Sequence, residues 1–285
     1  MKQSPFTVRP ADLGRRDFLR LSAAVAAAGA TGAPRSVRAA IKTRAEIVIV
    51  GGGAAGLTAA SKLAGLLDGA KITIVDPRRE HWYQPGFTLV ANGVYQTGDV
   101  VRQTGDYVAS GVAWVPEAVA EIDPDANTVT TIGGKRLRYD FLVVALGCEL
   151  NFDGIDGFEP KLVGTNGIGC TYAGPEGAAA TFRASQAFVE NGGVGLFTKP
   201  GTPMKCAGAP IKAAFLAASR MVNAGTRGKG EVTYLADNDK LFAQPETAAL
   251  IKQHFDAKKI GYDYGHILTA IEPGRREAIF RTPKG

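Results

Sequence analysis

Two stretches of the chain put chemistry-bearing residues where an apolar strand gives way to a helix. The first is Gly51-x-Gly53-x-x-Gly56, which directly follows the β-branched run Ile47 to Val50. Gly51 permits a tight turn, Gly53 lets a pyrophosphate approach the backbone, and Gly56 lets helix and strand pack closely. Ala54 and Ala55 complete a small-residue first turn whose unpaired N–H groups can face phosphates. The stretch "KITIVD" ends in Asp76, twenty residues after Gly56, where a carboxylate can accept from a ribose hydroxyl. Strand, glycines, helix, strand and acid in that order predict a dinucleotide site. The pattern does not by itself choose between FAD and NAD.

The second stretch is Lys199-Pro200-Gly201-Thr202-Pro203-Met204-Lys205-Cys206-Ala207-Gly208-Ala209-Pro210. It follows the strand-like "VGLFT" and opens an amphipathic helix. Two prolines remove backbone donors from the loop, and the glycine spacing is wrong for a phosphate turn. What the loop supplies instead is a thiol. Cys206 lies near a helix start, with Lys205 beside it and Lys212 on the first turn, and both features favour thiolate over thiol. Small Ala207, Gly208 and Ala209 leave room for a reactant. On the residues alone, a packed cysteine at a helix start explains the pattern as well as a reactive one.

The elements that must position these groups are legible as a repeated α/β pattern. The segment 111–147 reads as strands with an Asp-Ala-Asn turn and a Gly-Gly turn, followed by a buried strand, Phe141 to Leu146. Later, "NGGVGLFT", "IKAAFLAASRMV", "EVTYLAD" and "TAALIKQHFDAKKI" alternate strand and helix, which predicts a second doubly wound unit. The expected fold class is therefore α/β with two Rossmann-like modules, the second incomplete. The expected divisions are 1–39, 40–160 and 161–285. Cys148, just after the returning strand, reads as a small buried hydrophobe.

Bulk properties bound the function classes. At 285 residues and 45% hydrophobic, the chain can build two cores. Its net charge of +6 is concentrated in residues 1–39, which hold seven Lys/Arg and two Asp/Glu, so a basic nucleic-acid face is a poor reading. Those residues read as a twin-arginine export signal: "GRRDFLR", a short Ala/Gly-rich run, then small residues for cleavage after Ala39. Periplasmic location is the resulting expectation. Three cysteines with no Cys-x-x-Cys pair give a zinc site no support, and no metal is expected.

An antiparallel excursion returning to a parallel strand resembles the FAD domain of two-dinucleotide-fold flavoprotein reductases. That resemblance implies that Ala145 and Gly147 lie near the flavin nucleotide and that the Val119 backbone meets the adenine. "HWYQPGFTLVANG", residues 81–93, together with "TPMKCAGAPIK", closely resembles the sulfide:quinone oxidoreductases, especially the branch that includes the mitochondrial enzyme. The similarity runs from about Glu46 to the end of the chain. It implies an FAD-dependent enzyme that oxidises sulfide and reduces quinone, with Cys206 as one redox cysteine. Cys170, in "GIGCTYAG", falls where some bacterial relatives carry a further cysteine, and stands as structural or accessory redox. The 81–93 stretch lacks a cysteine for covalent flavin attachment, which implies noncovalent FAD. His81, Trp82 and Tyr83 could line the flavin or pack in the core.

Members of that family continue into a third segment with a Gly-Asp pair, a second redox cysteine and an apolar surface that meets quinone at the membrane. Gly98-Asp99 and Gly105-Asp106 fall too early to be that pair, and no later Gly-Asp pair, no cysteine after Cys206 and no amphipathic C-terminal helix is read up to residue 285. The expectation is a C-terminally truncated chain with weak flavin retention and doubtful activity, peripheral to the membrane through that segment and open to oligomerisation. The flavin subunit of a flavocytochrome-type sulfide dehydrogenase, a non-catalytic FAD-binding remnant and an NADH:quinone reductase stay open as alternatives.

Overall fold

The computed structural model of the chain describes residues 40–283. The expected export signal, residues 1–39, lies outside them. Two parallel sheets organise the rest, each with the strand-helix alternation read from the sequence.

In the first module, β1 (Glu46–Val50) leads into α1 (Ala54–Leu66) and then β2 (Lys71–Val75). The sheet is completed by β3 (Val112–Val115) and by β7 (Phe141–Val144), in the parallel order β7-β1-β2-β3. Parallel sheets are covered on both faces, and the residues of β1 show how. Ile47 and Ile49 point to α1, where they meet Leu57 and Ala60 together with Ile72 and Ile74 of β2. Val48 and Val50 point the other way, onto a cluster with Val75, Val115 and Val129.

That second face is covered by an antiparallel sheet of β4 (Val119–Asp123), β5 (Thr128–Thr131) and β6 (Arg136–Arg138). Its turns fall where the sequence puts them, with Asn127 and Gly134 in the left-handed region.

The second module orders β8 (Gly193–Thr198), β9 (Gly230–Leu235) and β10 (Gly261–Asp263) in one parallel sheet. Three helices serve it: α2 (Gly174–Asn191), α3 (Ala209–Asn223) and α4 (Pro245–Ala257). Each carries a proline in its first turn, where the missing N–H costs nothing. Their apolar faces meet Val232 and Tyr234 of β9 in a core that includes Ile211, Ala214, Met221 and Phe255. A hairpin of β11 (Ile267–Glu272) and β12 (Glu277–Arg281) follows.

The two modules share a seam. Phe87, Val90, Ala91 and Val100 of the first module form one buried cluster with Ala178 of α2, and Trp82 and Tyr172 pack against it.

Two expectations are corrected. The returning strand is not buried: β7 ends at Val144, takes the edge of its sheet, and leaves Phe141 63% and Val144 60% exposed. An apolar run carries no mark that distinguishes an edge strand from a central one. Cys148 is exposed rather than buried, because Gly147 adopts a φ of 79° and turns the chain off the sheet.

The contact between β1 and α1 makes a sharp prediction about two glycines of one helix. A Cβ at Gly56 would lie 1.8 Å from the Gly51 carbonyl oxygen, whereas one at Gly65 meets nothing within 4 Å. Gly56→Ala is expected to lose about 3 kcal/mol or more, through backbone that cannot retreat. Gly65→Ala is expected to gain about 0.5–1 kcal/mol from helix propensity. Thermal melts of the two variants check this, and equal effects would contradict the packing described.

Candidate active site

The first strand-to-helix junction is built as a dinucleotide cradle. Gly51 follows β1 directly, with a φ of 109°, and its N–H donates to the Val75 carbonyl at 2.9 Å. A Cβ there would come within 2.3 Å of the Ala145 carbonyl oxygen, so only glycine lets β7 approach. Gly53 caps α1 in an extended conformation and has open space where its Cβ would be. Ala54 and Ala55 are exposed beside it.

The first turn of α1 contains no acidic residue and Gly53 makes no side-chain cap. Its N–H groups and partial positive charge are therefore not neutralised by the helix's own side chains. These features fit a diphosphate.

Asp76 is nearly buried. One carboxylate oxygen accepts from the Gly52 N–H at 2.6 Å and the other from the Arg78 N–H at 2.7 Å. Each oxygen keeps a further lone pair, and the group sits against the glycine turn. Ala145 extends the β7 ladder by one bond, its N–H donating to the Val50 carbonyl at 2.7 Å. The structure thus brings Gly51, Gly53, Gly56, Asp76 and Ala145 together at the carboxyl ends of β1, β2 and β7. Gly147 is exposed just beyond. Val119 opens β4, its side chain packed on the cluster under the sheet.

At the second junction the same ladder position carries a different residue. Lys199 follows β8 as Gly51 follows β1, and its N–H donates to the Leu235 carbonyl, the last residue of β9. Its ammonium lies 2.6 Å from Asp237, with side-chain exposures of 18% and 14%. An internal ion pair therefore spans the strand ends where the first module offers glycine and open space.

The loop that follows presents Cys206, exposed, with a φ of 56° that is uncommon for a residue bearing a side chain. The Ala209 N–H donates to the Cys206 carbonyl at 2.9 Å and leads into α3, whose cap is Gly208. Cys206 thus precedes the helix rather than starting it.

Lys205 does not stand free beside the thiol. Its ammonium donates to Gln84 Oε1, in the 3₁₀ turn Gln84–Gly86 of the first module, and lies 5.2 Å from the centre of the Tyr172 ring. Tyr172 is half-buried beneath that ammonium. Burial, with Cys206 adding to it, holds that phenol above its ordinary ionisation range.

Cys170 lies two residues before Tyr172. Burial pushes its thiol up, opposed by the Tyr172 and Ala173 N–H groups, which keeps it protonated and poorly nucleophilic near neutrality. Cys148, Cys170 and Cys206 are all free thiols. Trp82 and Tyr172 also line an open groove of about 690 Å³ with Phe152, Lys161, Gly174 and Arg183.

Sequence reasoning passed over Gln84, Tyr172, Lys199 and Asp237. Asp237 had a signal: it trails the strand "EVTYL" much as Asp76 trails "KITIV". Tyr172 and Gln84 had none, because their roles come from contacts across the module seam.

Residues 45–282 match the family model for pyridine nucleotide-disulphide oxidoreductases. The mitochondrial sulfide:quinone oxidoreductase of Mus musculus is 34% identical over 239 residues, which covers 84% of this chain and 52% of that protein. Its counterpart in Dictyostelium discoideum is 33% identical, covering 86% and 54%. Among solved structures, the sulfide:quinone oxidoreductase of Aquifex aeolicus aligns with a TM-score of 0.71 at 25% identity, over 85% of this chain and 55% of that one. The chain spans about half the length of the curated relatives it matches.

These matches overturn the periplasmic expectation, because the mouse and Dictyostelium relatives are mitochondrial proteins. The twin-arginine reading rested on an order of short regions in residues 1–39, which the described residues do not include. No helix among the described residues is long and apolar enough to cross a membrane.

The Lys199–Asp237 pair gives a direct test of the second junction. Lys199→Met strands a mostly buried carboxylate and is expected to cost about 2–3 kcal/mol in urea unfolding. Adding Asp237→Leu removes that stranded charge and is expected to recover most of the loss. A double variant no more stable than Lys199→Met alone would contradict the pairing.

Proposed function

The chain belongs to the pyridine nucleotide-disulphide oxidoreductase family, and on that premise we propose that it is a flavoprotein of sulfide oxidation. It holds FAD noncovalently in the first module, takes sulfur at Cys206 and passes the electrons to quinone. The observation that carries this reading is the contrast between the two junctions. The first keeps the open glycine turn and the strand-end acid, whereas the second fills the corresponding strand ends with Lys199 and Asp237 and presents a cysteine.

Gly51, Gly53, Ala54, Ala55 and Gly56 would hold the pyrophosphate, Asp76 a ribose hydroxyl, and the small Ala145 and Gly147 would let the nucleotide approach β7. No cysteine occurs in residues 81–93, which favours noncovalent retention. Joining a sulfide sulfur to the Cys206 sulfur forms one S–S bond and releases two electrons and two protons. Bound FAD supplies the two-electron acceptor for that chemistry, with quinone as the onward acceptor.

The chain's own contribution is to present the thiol. Exposure of Cys206 admits a small anion, and the small Ala207 and Gly208 leave space around it. Lys205 faces Gln84 and Tyr172, so its part is to hold the loop against the first module. Cys170, half-buried and held as a thiol, fits a structural or accessory place behind Tyr172. The similarity to the sulfide:quinone oxidoreductases of mouse, Dictyostelium and Aquifex supports this reading.

Two measurements test it. Acid precipitation of the flavin-loaded protein is expected to leave yellow FAD in the supernatant, and flavin retained in the pellet would contradict noncovalent binding. Under anaerobic conditions sulfide is expected to bleach the flavin band, while NADH leaves it coloured over the same interval. Rapid bleaching by NADH with no response to sulfide would sink the proposal.

A further inference from the structure

We infer that Gln84 is a positioning residue of the sulfur site: acting through Lys205, it holds Cys206 in the left-handed conformation from which the thiol is presented. That Cys206 handles sulfide is the reading above, on which the functional meaning of this hold rests. The hold itself stands on contacts between the modules.

Gln84 belongs to the first module and rides on a fixed part of it. Its carbonyl accepts from the Phe87 N–H, and the Gly86 N–H donates to the Tyr83 carbonyl at 3.0 Å. Gly86 and Phe87 are buried, and a Cβ at Gly86 would come within 2.6 Å of Val100 Cγ1. The Gln84 backbone is thus set on the apolar seam, and its side-chain oxygen reaches out to the Lys205 ammonium of the second module. Tyr172, whose ring lies 6.1 Å from that of Phe87, supplies the other wall, 5.2 Å from the same ammonium. An oxygen on one side and an aromatic face on the other make a socket for a cation.

Cys206 is the next residue, and it is restrained from both sides. Upstream, Lys205 is anchored on the first module. Downstream, the Cys206 carbonyl accepts from the Ala209 N–H at 2.9 Å, which ties it to the start of α3. Between these anchors Cys206 has a φ of 56°, a value that a residue with a Cβ leaves when nothing holds it there. With the upstream anchor cut, φ can return to negative values, and that rotation swings the thiol away from its place. A misplacement of about 1 Å can slow a reaction about a hundredfold.

Glycine and alanine at position 206 report the backbone directly, because a positive φ is strained for alanine and free for glycine. With Gln84 in place, Cys206→Gly is expected to melt about 2–4 °C above Cys206→Ala. Gln84→Met keeps the side-chain length and removes the oxygen. In that background the two should melt together, or with alanine higher, because glycine then only loosens the unfolded chain. A gap of the same size in both backgrounds overturns the inference, as does no gap with Gln84 present. Should Gln84→Met not fold, Lys205→Met cuts the same anchor from its other end and is read the same way.

Flavin-loaded protein with Cys206 intact, mixed anaerobically with sulfide, tests the functional half. Gln84→Met is expected to bleach about tenfold more slowly at saturating sulfide, with its half-saturating concentration unchanged. Gln84→Glu keeps an oxygen for the ammonium and is expected to bleach at the native rate. An unchanged limiting rate in Gln84→Met, or a Gln84→Glu as slow as Gln84→Met, overturns the positioning role. If sulfide bleaches none of these proteins, the sulfide reading falls, and the melting gap alone decides whether Gln84 holds Cys206.

Discussion

The second junction depends on a tie between modules, in which Lys205 donates to Gln84 across 121 positions of sequence. Alone, such a bond contributes about 1.5–3 kcal/mol, too little to hold a loop that contains two prolines and a strained cysteine. The apolar seam beneath it does the larger share. Phe87, Val90 and Val100 are buried there against Ala178, and each large side chain buried in this way is worth about 1.5–3 kcal/mol. The seam sets how far apart the modules sit, and the polar bond sets where the loop lands. Lys205 and Tyr172 meet because both conditions hold at once.

The two modules apply one architecture to different ends. In each, the residue after the first strand donates its N–H to the last residue of the second strand, Gly51 to Val75 and Lys199 to Leu235. In the first module that residue has no side chain, so the strand ends open onto backbone donors and a helix start. In the second it carries an ammonium that finds Asp237 within the protein. An anionic dinucleotide arriving there would meet an ammonium already paired with Asp237 and a loop whose prolines offer no N–H.

Much of this was legible in the chain. The alternation Ile47, Val48, Ile49, Val50 with glycines behind it implies a parallel strand covered on both faces, and the structure has one. Asp76 falls at the strand end where its spacing from Gly56 puts it. The unusual loop around Cys206 stood out because its prolines and glycines do not suit a phosphate turn.

What escaped the sequence depends on which surfaces meet. Phe141 to Leu146 is apolar enough for a central strand, yet its place at the sheet edge is set by strand order. Cys148 inherits its exposure from the φ of Gly147, which composition does not reveal. Lys205 looked like an electrostatic neighbour of Cys206 because it is adjacent in the chain, but its side chain reaches the first module. Helix α2, which brings Ala178 to the seam, begins at Gly174 and Pro175 and was not read from the sequence. A one-dimensional pattern reports local preference and burial well, and partner choice across a seam poorly.

The central claim is that the sulfur chemistry passes through Cys206, and one comparison tests it most directly. Cys206→Ser replaces sulfur by oxygen at nearly constant volume and leaves the glycine cradle of the first module untouched. In anaerobic stopped flow with sulfide, the flavin-loaded variant should retain its flavin absorbance before mixing and lose at least a hundredfold in bleaching rate. That magnitude corresponds to about 3 kcal/mol of lost transition-state stabilisation. A serine variant that retains its flavin and is bleached by sulfide at the original rate would contradict the account.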